Sequence, residues 1–289
     1  MKLSPFDYHA PETVDEALAL MANLGDEARP LAGGQSLLPM MALRSIAPAV
    51  LIDLNRLSEL TRIERDGAVM RVGAMVRERT AERSDALTTT VPLLARALPF
   101  VGYQAIRTRG TIGGSLAHCD PTSELPAVAV ATGATMTAWS EARGKRQLTA
   151  DEFFVSRQTN GLEADEILTH ITFPIAQDGT GVAFEKLARR RGAMVGVASL
   201  LHAMSGVIDH ARVVLTGVAD VPFRCQESER VLLGAPLDGA SFAQAAIAAQ
   251  ESLEPPSDMH GSSAYRRHIA GVLIRRSLQN VSAEIGTDA

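Results

Sequence analysis

Two glycine-rich motifs place the strongest constraint on how this chain folds. The first is AGGQSLLPM at residues 32–40, and the second is TRGTIGGSLAHCDP at residues 108–121. Glycine tolerates positive φ and lacks a Cβ, so successive backbone amides can converge on one anion and approach it closely. Each motif therefore predicts a loop of N–H donors, followed by a segment that could form a helix. The donors concerned are Gly33, Gly34 and Ser36 in the first motif and Gly110, Gly113, Gly114 and Ser115 in the second.

Taken singly, each motif is more typical of a structural turn. Two such motifs together favour a ligand with a diphosphate. The sequence contains neither the G-x-G-x-x-G of a Rossmann fold nor the G-x-x-x-x-G-K-[ST] of a P-loop. The segment GQSLL lacks the second glycine of a G-x-S-x-G nucleophile elbow, which argues against a hydrolase. The residues alone therefore predict a nucleotide-diphosphate site of unspecified kind.

Composition narrows the class of protein. A length of 289 residues predicts two domains, and 46% hydrophobic with 21% charged residues argues against disorder. The net charge of −5 gives no electrostatic reason to expect nucleic acid. No apolar run approaches the roughly 20 residues that cross a bilayer, and the N-terminus lacks a signal-peptide pattern. The separate Cys119 and Cys225 exclude a zinc ribbon or a cysteine-ligated iron–sulfur cluster within this chain, and they favour a reducing cytoplasm.

Hydrophobic periodicity predicts an α+β chain in two parts. A helix at Thr13–Asn23 begins at a cap-like Thr13 with Glu16 at the capping-box spacing and ends at Gly25. The polar segment Gln177–Gly181 is the predicted linker between the parts. The predicted strands are Arg29–Leu31, Val50–Leu54, Leu60–Glu64, Val69–Val72, Ala134–Trp139, 165–175, 181–190, 195–204 and 211–219. The other predicted helices are Ala86–Val101 with breaks near its two prolines, Leu125–Ala131, Glu227–Leu233, Phe242–Ala249 and Tyr265–Leu278.

Five segments together carry a family pattern: AGGQSLLPMM, IDLNRL, QAIRTRGTIGGSLAHCDPTSELPAV, EKLARRRG and GSSAYRRHIAGVLIRR. The chain resembles, almost end to end, the FAD-binding medium subunits of the molybdenum hydroxylases, such as carbon monoxide dehydrogenase and the bacterial dehydrogenases of nitrogen heterocycles. The resemblance implies a vanillyl-alcohol-oxidase-type (PCMH-like) FAD-binding domain in two lobes at residues 1–176. It also implies a smaller C-terminal α/β domain of the CO dehydrogenase flavoprotein type at residues 177–289.

The same resemblance assigns roles to residues. Residues 32–36 and 111–115 wrap the FAD diphosphate, with glycines allowing close approach and amides binding phosphate oxygens. Glu124 or Asp120 contacts the ribose, Leu162 packs against the flavin ring, and Lys186 lies near the flavin. The full set of cofactor-binding candidates is Ala32, Gly33, Gly34, Gln35, Ser36, Leu37, Thr111, Gly113, Gly114, Ser115, Asp120, Glu124, Leu162 and Lys186. No catalytic residue and no metal ligand is assigned to this chain.

Three candidates depart from the family pattern. Gln35 stands where some members have His, which removes a titratable donor but keeps a hydrogen-bonding side chain. Ser115 stands where Asn is common, and Glu124 where an Asp often binds the ribose. That last contact then needs a shifted backbone or a water, and Asp120 is the alternative partner.

Other candidates have ordinary structural alternatives. Lys186 is equally compatible with a solvated lysine, and Leu162 is more typical of the core. Arg107 and Arg109 could neutralise a diphosphate or a carboxylate, or be solvated. The basic run at residues 189–191 could be a docking patch for an acidic partner, although a solvated turn is more typical of such a run.

The resemblance implies an electron-transfer subunit. Substrate is hydroxylated at a molybdopterin cofactor in a large partner subunit, electrons pass through [2Fe-2S] clusters of a small partner to this FAD, and they leave for a quinone, NAD or oxygen. It further implies an (LMS)2 heterohexamer in the cytoplasm, with no nucleic acid and no transmembrane segment. Two alternatives stay open: a self-sufficient FAD oxidoreductase of the vanillyl-alcohol-oxidase fold, and a nucleotide-binding scaffold without redox chemistry.

Overall fold

Three sheets of three or more strands organise the protein in a computed structural model, which describes residues 3–189 and 192–287. The strands are β1 (Asp7–His9), β2 (Ala28–Leu31), β3 (Val50–Asp53), β4 (Ile63–Asp66), β5 (Val69–Gly73), β6 (Thr135–Ser140), β7 (Gly144–Thr149), β8 (Phe154–Ser156), β9 (Thr159–Asn160), β10 (Ile167–Pro174), β11 (Thr180–Arg189), β12 (Gly192–Met204), β13 (Val207–Thr216) and β14 (Phe223–Arg224). The helices are α1 (Val14–Leu24), α2 (Leu37–Ala42), α3 (Glu78–Glu82), α4 (Asp85–Thr90), α5 (Pro92–Ala97), α6 (Gln104–Arg109), α7 (Ile112–His118), α8 (Glu124–Thr132), α9 (Ala150–Phe153), α10 (Gln226–Leu232), α11 (Gly239–Ser252) and α12 (Ser263–Thr287).

The first lobe is a parallel sheet in the order β1-β3-β2, covered by α1. The predicted first helix is confirmed. Thr13 Oγ1 accepts the Glu16 N–H at 3.2 Å, and Glu16 accepts the Glu12 N–H at 2.8 Å, so two otherwise unpaired donors are satisfied. Gly25, with φ of 49°, ends the helix.

The second lobe is an antiparallel sheet in the order β4-β5-β10-β6-β7, packed against α3 to α8. Gly67, with φ of 59°, closes the predicted β4–β5 hairpin. The strand predicted from Leu60 begins only at Ile63. Leu60 lies in a 3₁₀ turn, because its side chain packs into the first lobe and its carbonyl accepts the Met75 N–H at 2.9 Å.

The third sheet, β11-β12-β13-β14, is antiparallel and is buried on both faces. Alternate residues of a strand face opposite sides. Val182 and Phe184 therefore join the core of the second lobe, whereas Ala183 joins a separate core. Helices α10, α11 and α12 supply the other side of that second core. Residues 175–179 connect β10 to this sheet.

A backbone contact joins the third sheet to the loop between α7 and α8. The N–H of Gly217, just after β13, donates to the Pro121 carbonyl at 2.8 Å. Arg266 of α12, which is 4% exposed, donates in turn to the Gly217 carbonyl at 2.9 Å. The rings of Phe100 and Phe184 also meet across this boundary, with centroids 5.4 Å apart. The position of residues 120–124 therefore depends on the C-terminal part of the chain.

Proline explains the breaks in the segment predicted as one or two helices at Ala86–Val101. Helix α4 stops at Thr90, α5 begins at Pro92, and a 3₁₀ turn follows at Leu98–Phe100. Proline has no N–H to donate and fixes φ, so it is tolerated at the start of a helix rather than inside it. None of the helices within the described ranges combines the length and apolarity needed to span a membrane.

Candidate functional site

The first glycine motif connects β2 to α2 and keeps its amides unpaired. Gly34 has φ of 69°, in the left-handed region that favours glycine. The five amides of residues 33–37 donate to no acceptor among the residues that the structure describes, whereas the next amide, of Leu38, donates to the Gly34 carbonyl at 3.3 Å. Successive unpaired N–H groups around a left-handed residue form a concavity that binds anions.

The side chain of Gln35 is committed to the same motif. Its Nε2 donates to the Gly33 carbonyl at 3.0 Å, which stabilises the turn. Because this bond uses the side-chain amide, the anion-binding capacity of the motif resides in the backbone and in the half-buried Ser36 hydroxyl.

The second motif differs from its predicted form. Gly113, Gly114 and Ser115 are not loop residues but the first turn of α7, which Thr111 caps. The Gly113 N–H donates to the Ala74 carbonyl at 2.9 Å, the Gly114 N–H to Thr111 Oγ1 at 3.1 Å, and the Ser115 N–H to the Thr111 carbonyl at 3.0 Å. In this structure the helix cap and the end of β5 use these three amides, so their predicted role in phosphate binding stays a prediction. The Thr111 N–H, which has no acceptor among the described residues, and the Ser115 hydroxyl are further donors of this turn.

The glycines of the second motif instead allow close packing. A Cβ on Gly33 would lie 2.8 Å from the Gly110 Cα, and one on Gly113 would lie 2.7 Å from the Ala74 Cα. A Cβ on Gly114 would lie 3.4 Å from the Ala32 Cβ. The two motifs, far apart in sequence, are therefore in direct contact, and glycine is what permits it.

Two residues that the sequence analysis missed hold the motifs together. Asn55, two residues after β3, donates from Nδ2 to the Ala32 carbonyl at 3.0 Å and accepts from Arg77 Nη2 at 2.6 Å. Arg77, directly before α3, also donates from Nη1 to the Arg109 carbonyl. Asn55 directly follows the predicted strand Val50–Leu54, which is a signal that could have identified it, whereas Arg77 lies beyond the end of the predicted strand Val69–Val72.

Arg77 places a guanidinium at the contact between the motifs, because it bonds the Arg109 carbonyl, which packs against Gly33. Burial and the charge of Arg109 lower the pKa of Arg77, and the charge of Asp53 opposes them. The Arg109 side chain is exposed. A run of unpaired amides near the Arg77 cation fits a diphosphate, because both elements favour negative charge.

Glu124 and Lys186, expected to contact different parts of FAD, form an ion pair. Glu124 is the first residue of α8 and is 6% exposed, and Lys186 lies on β11. Lys186 Nζ bonds Glu124 Oε1 and also donates to the Phe100 carbonyl at 3.3 Å. Burial raises the pKa of Glu124, against the opposing effect of the Lys186 charge. Lys186 is thus a paired cation whose side chain is 12% exposed, rather than a solvated one.

Asp120 follows α7 in the chain, and Leu162 is tied to α7 through hydrogen bonds. One carboxylate oxygen of Asp120 accepts both the N–H and the O–H of Thr122, each at 2.8 Å, and the other has no hydrogen bond within the described ranges. Leu162 is half-buried against the core of the second lobe. Its N–H donates to Asn160 at 3.0 Å, and Asn160 donates to the Ala117 carbonyl at 2.7 Å, which ties Leu162 to α7.

Arg107 does not serve an anion site. Its guanidinium is buried in a bidentate pair with Glu82, at 3.0 and 3.2 Å, and donates to the Val101 carbonyl at 2.9 Å. The pairing with Arg107 and Arg79 lowers the pKa of Glu82 against the effect of burial. The expectation that Arg107 neutralises a ligand or is solvated is wrong. In the basic run at 189–191, Arg190 and Arg191 lie outside the described residues.

Glu78 is a further buried acid beside the motifs that the sequence analysis missed. It is 3% exposed, and its Oε2 has no hydrogen-bond partner within the described part of the chain. A Cβ on Gly110 would lie 2.8 Å from the Glu78 Cδ. Burial, aided by the charge of Glu124 and opposed by Arg107, raises the pKa of Glu78 to about 8.

We expect Glu78→Gln to stabilise the protein more at pH 8 than at pH 5, relative to the wild type. The wild-type carboxyl stays protonated up to about pH 8 when folded, whereas it ionises near its ordinary value when unfolded. As pH rises from 5 to 8, the free energy of unfolding of the wild type should therefore fall by up to about 1.4 kcal/mol per pH unit. The variant should not show this fall, because glutamine does not ionise. Chemical denaturation at the two pH values, with exposed Glu59→Gln as control, measures it. An equal effect at both pH values would contradict the prediction.

Comparisons with known proteins match two family models to this chain. Residues 4–176 match the FAD-binding domain in molybdopterin dehydrogenase, and residues 182–281 match the CO dehydrogenase flavoprotein C-terminal domain. The chain is 38% identical to the carbon monoxide dehydrogenase medium chain of Hydrogenophaga pseudoflava, over 94% of this chain and 96% of that one. The chain belongs to the FAD-binding medium subunits of the molybdenum hydroxylases.

This medium subunit is similar to proteins of several different enzymes. It is 37% identical to caffeine dehydrogenase subunit beta of Pseudomonas sp. (strain CBB1), over 99% of this chain and 97% of the relative. The structure of quinoline 2-oxidoreductase from Pseudomonas putida 86 contains a chain that matches with a TM-score of 0.94 at 36% identity, covering 99% of both chains. The predicted family and the α+β fold of this medium subunit are confirmed.

Proposed function

We propose that this chain is the FAD-carrying electron-transfer subunit of a multi-subunit molybdenum hydroxylase. The observation that supports this most directly is the run of unpaired amides at residues 33–37, packed against the second glycine motif where Arg77 bonds the Arg109 carbonyl. This arrangement suits the diphosphate of a dinucleotide, and the chain belongs to a family named for FAD binding.

In this proposal, the backbone of residues 33–37 and the Ser115 hydroxyl hold the diphosphate. The free oxygen of Asp120 or the carboxylate of Glu124 contacts the ribose, and Leu162 packs against the flavin ring. Lys186 positions Glu124 and places a positive charge near the flavin. When bound, FAD supplies the redox chemistry, and the residues of this chain bind it, orient it and set the charge around it.

The remaining redox centres belong to partner subunits in this proposal. Cys119 and Cys225 are both buried and lie in different parts of the fold, so they do not form the ligand set of an iron–sulfur cluster. A small subunit with [2Fe-2S] clusters delivers electrons from a large molybdopterin subunit, within an (LMS)2 heterohexamer. A quinone, NAD or oxygen accepts the electrons. Relatives of similar identity are named for caffeine, carbon monoxide and quinoline, which supports a substrate site on another chain.

The test is purification of the native complex through a tag on this chain. We expect flavin absorbance bands, iron, molybdenum and two further chains in the same preparation. Flavin in this chain alone, without metals or partners but with full turnover of a small molecule, would indicate a self-sufficient oxidoreductase instead. A colourless protein, after reconstitution with excess FAD and the partners, would indicate a scaffold without redox chemistry.

A further inference from the structure

The carboxyl group of Glu78 lies directly behind the contact between the two glycine motifs. Its Cδ would lie 2.8 Å from a Cβ on Gly110, and the Gly110 Cα would lie 2.8 Å from a Cβ on Gly33. The Glu78 N–H donates to the Gly110 carbonyl at 2.9 Å. Gly33 is the first of the five residues with unpaired amides. Gly110 therefore lies between this carboxyl and Gly33, the first residue of the proposed diphosphate site.

The charged groups around Glu78 do not neutralise an ionised carboxylate. Arg107, on α6, is the cation whose charge acts on Glu78, but its guanidinium is in a bidentate pair with Glu82 of α3. Glu124, on α8, is a second acid and is paired with Lys186 of β11. Within the described part of the chain, Glu78 therefore has no hydrogen-bonded cation of its own.

An unpaired carboxyl in such a place favours its neutral form, because burial penalises the charge and no donor compensates for it. A diphosphate at residues 33–37 would add negative charge on the far side of Gly110 and Gly33. It would therefore disfavour the ionised form of Glu78 further. By linkage, an ionised Glu78 must weaken the binding of the diphosphate by the same factor.

We propose that Glu78 is a positioning residue of the cofactor site whose neutral carboxyl form is the binding-competent one, so that FAD binding takes up a proton at mildly alkaline pH. The inference rests on the proposed FAD binding. When Glu78 is neutral, the diphosphate is the only negative charge next to the contact between Gly110 and Gly33. A neutral carboxyl group also carries an O–H donor, whereas an ionised carboxylate carries only acceptors.

Titration of the deflavinated native complex with FAD tests the proposal. The apparent dissociation constant scales inversely with the fraction of the binding-competent form. With the pKa of Glu78 near 8, we expect the dissociation constant to rise about tenfold between pH 7 and pH 9. Glu78→Gln, which is permanently neutral and nearly isosteric, should show less than about a threefold rise. Glu59→Gln, at an exposed acid, is the matched control and should follow the wild type.

Calorimetry on the wild type provides a measurement that does not depend on the folding of a variant. The heat of FAD binding at pH 8, compared between two buffers of different ionisation enthalpy, should show net proton uptake. A flat pH dependence in the wild type, an equal rise in wild type and Glu78→Gln, or no proton uptake would each overturn the inference while leaving FAD binding intact. Absence of FAD binding at every pH would instead overturn the proposed function.

Discussion

Replacement of Gly33 by alanine should reduce the affinity of the protein for FAD by about tenfold or more, which corresponds to about 1.4 kcal/mol of binding free energy. A Cβ at this position would lie 2.8 Å from the Gly110 Cα and closer still to the Arg109 carbonyl oxygen. Both obstacles are backbone atoms, so they cannot rotate away as a side chain would. The first motif must therefore move away from the second, and the amides of residues 33–37 then no longer converge on one anion.

The measurement is the flavin-to-protein ratio of the purified complex, followed by FAD titration of the deflavinated form. Gly239→Ala is the matched control, because Gly239 starts α11 with no atom within 4 Å of the added methyl group. That variant should retain the flavin content of the wild type. Full flavin occupancy in Gly33→Ala would show that the contact between the motifs does not position the cofactor.

Lys186→Met should have the largest effect on stability. It leaves the Glu124 carboxylate buried without its cation, and removal of one partner of a buried pair typically costs about 3–5 kcal/mol. The pKa of Glu124 is already raised by burial, and loss of the lysine raises it further. A raised pKa gives stability that is present at low pH and lost as pH rises, so the loss should be greater at pH 8 than at pH 5.

Chemical denaturation of this chain, purified without its partner subunits, measures the loss of unfolding free energy in Lys186→Met at pH 5 and pH 8. Arg56→Met is the control, since the Arg56–Glu12 pair is 62% and 77% exposed and should contribute less than about 1 kcal/mol. A loss of stability that does not depend on pH would show that it comes from the lost packing of the Lys186 methylene groups and not from the lost ion pair. A loss no larger than that of the control would show that the pair is solvated in the protein.

The sequence predicts features of the fold that local interactions determine. The start and end of α1 follow from Thr13, Glu16 and Gly25, all within a few residues of the helix ends. The sequence predicts a loop at the second glycine motif because its three glycines allow positive φ and close approach. In the structure, Thr111 caps a helix there, and that helix starts where it does because Gly113 fits against Ala74 at the end of β5.

The missed residues of the site all depend on contacts between distant parts of the chain. Asn55 follows the predicted strand Val50–Leu54, no element is predicted at Arg77, and only the folded chain brings Asn55, Arg77 and Ala32 together. Glu78 has the sequence surroundings of a surface helix, RERTAER. Its burial arises because α3 packs against α6 and against the 3₁₀ turn at Leu98–Phe100.

The bond between the Gly217 N–H and the Pro121 carbonyl has a consequence for engineering hybrid subunits. Exchange of residues 177–289 with those of a relative would replace the Gly217 and Arg266 side of this bond, together with Lys186, while retaining the Pro121 and Glu124 side. A functional hybrid must therefore keep compatible residues on both sides of these contacts. The contacts, rather than the connector at residues 175–179, determine where the two sequences can be joined.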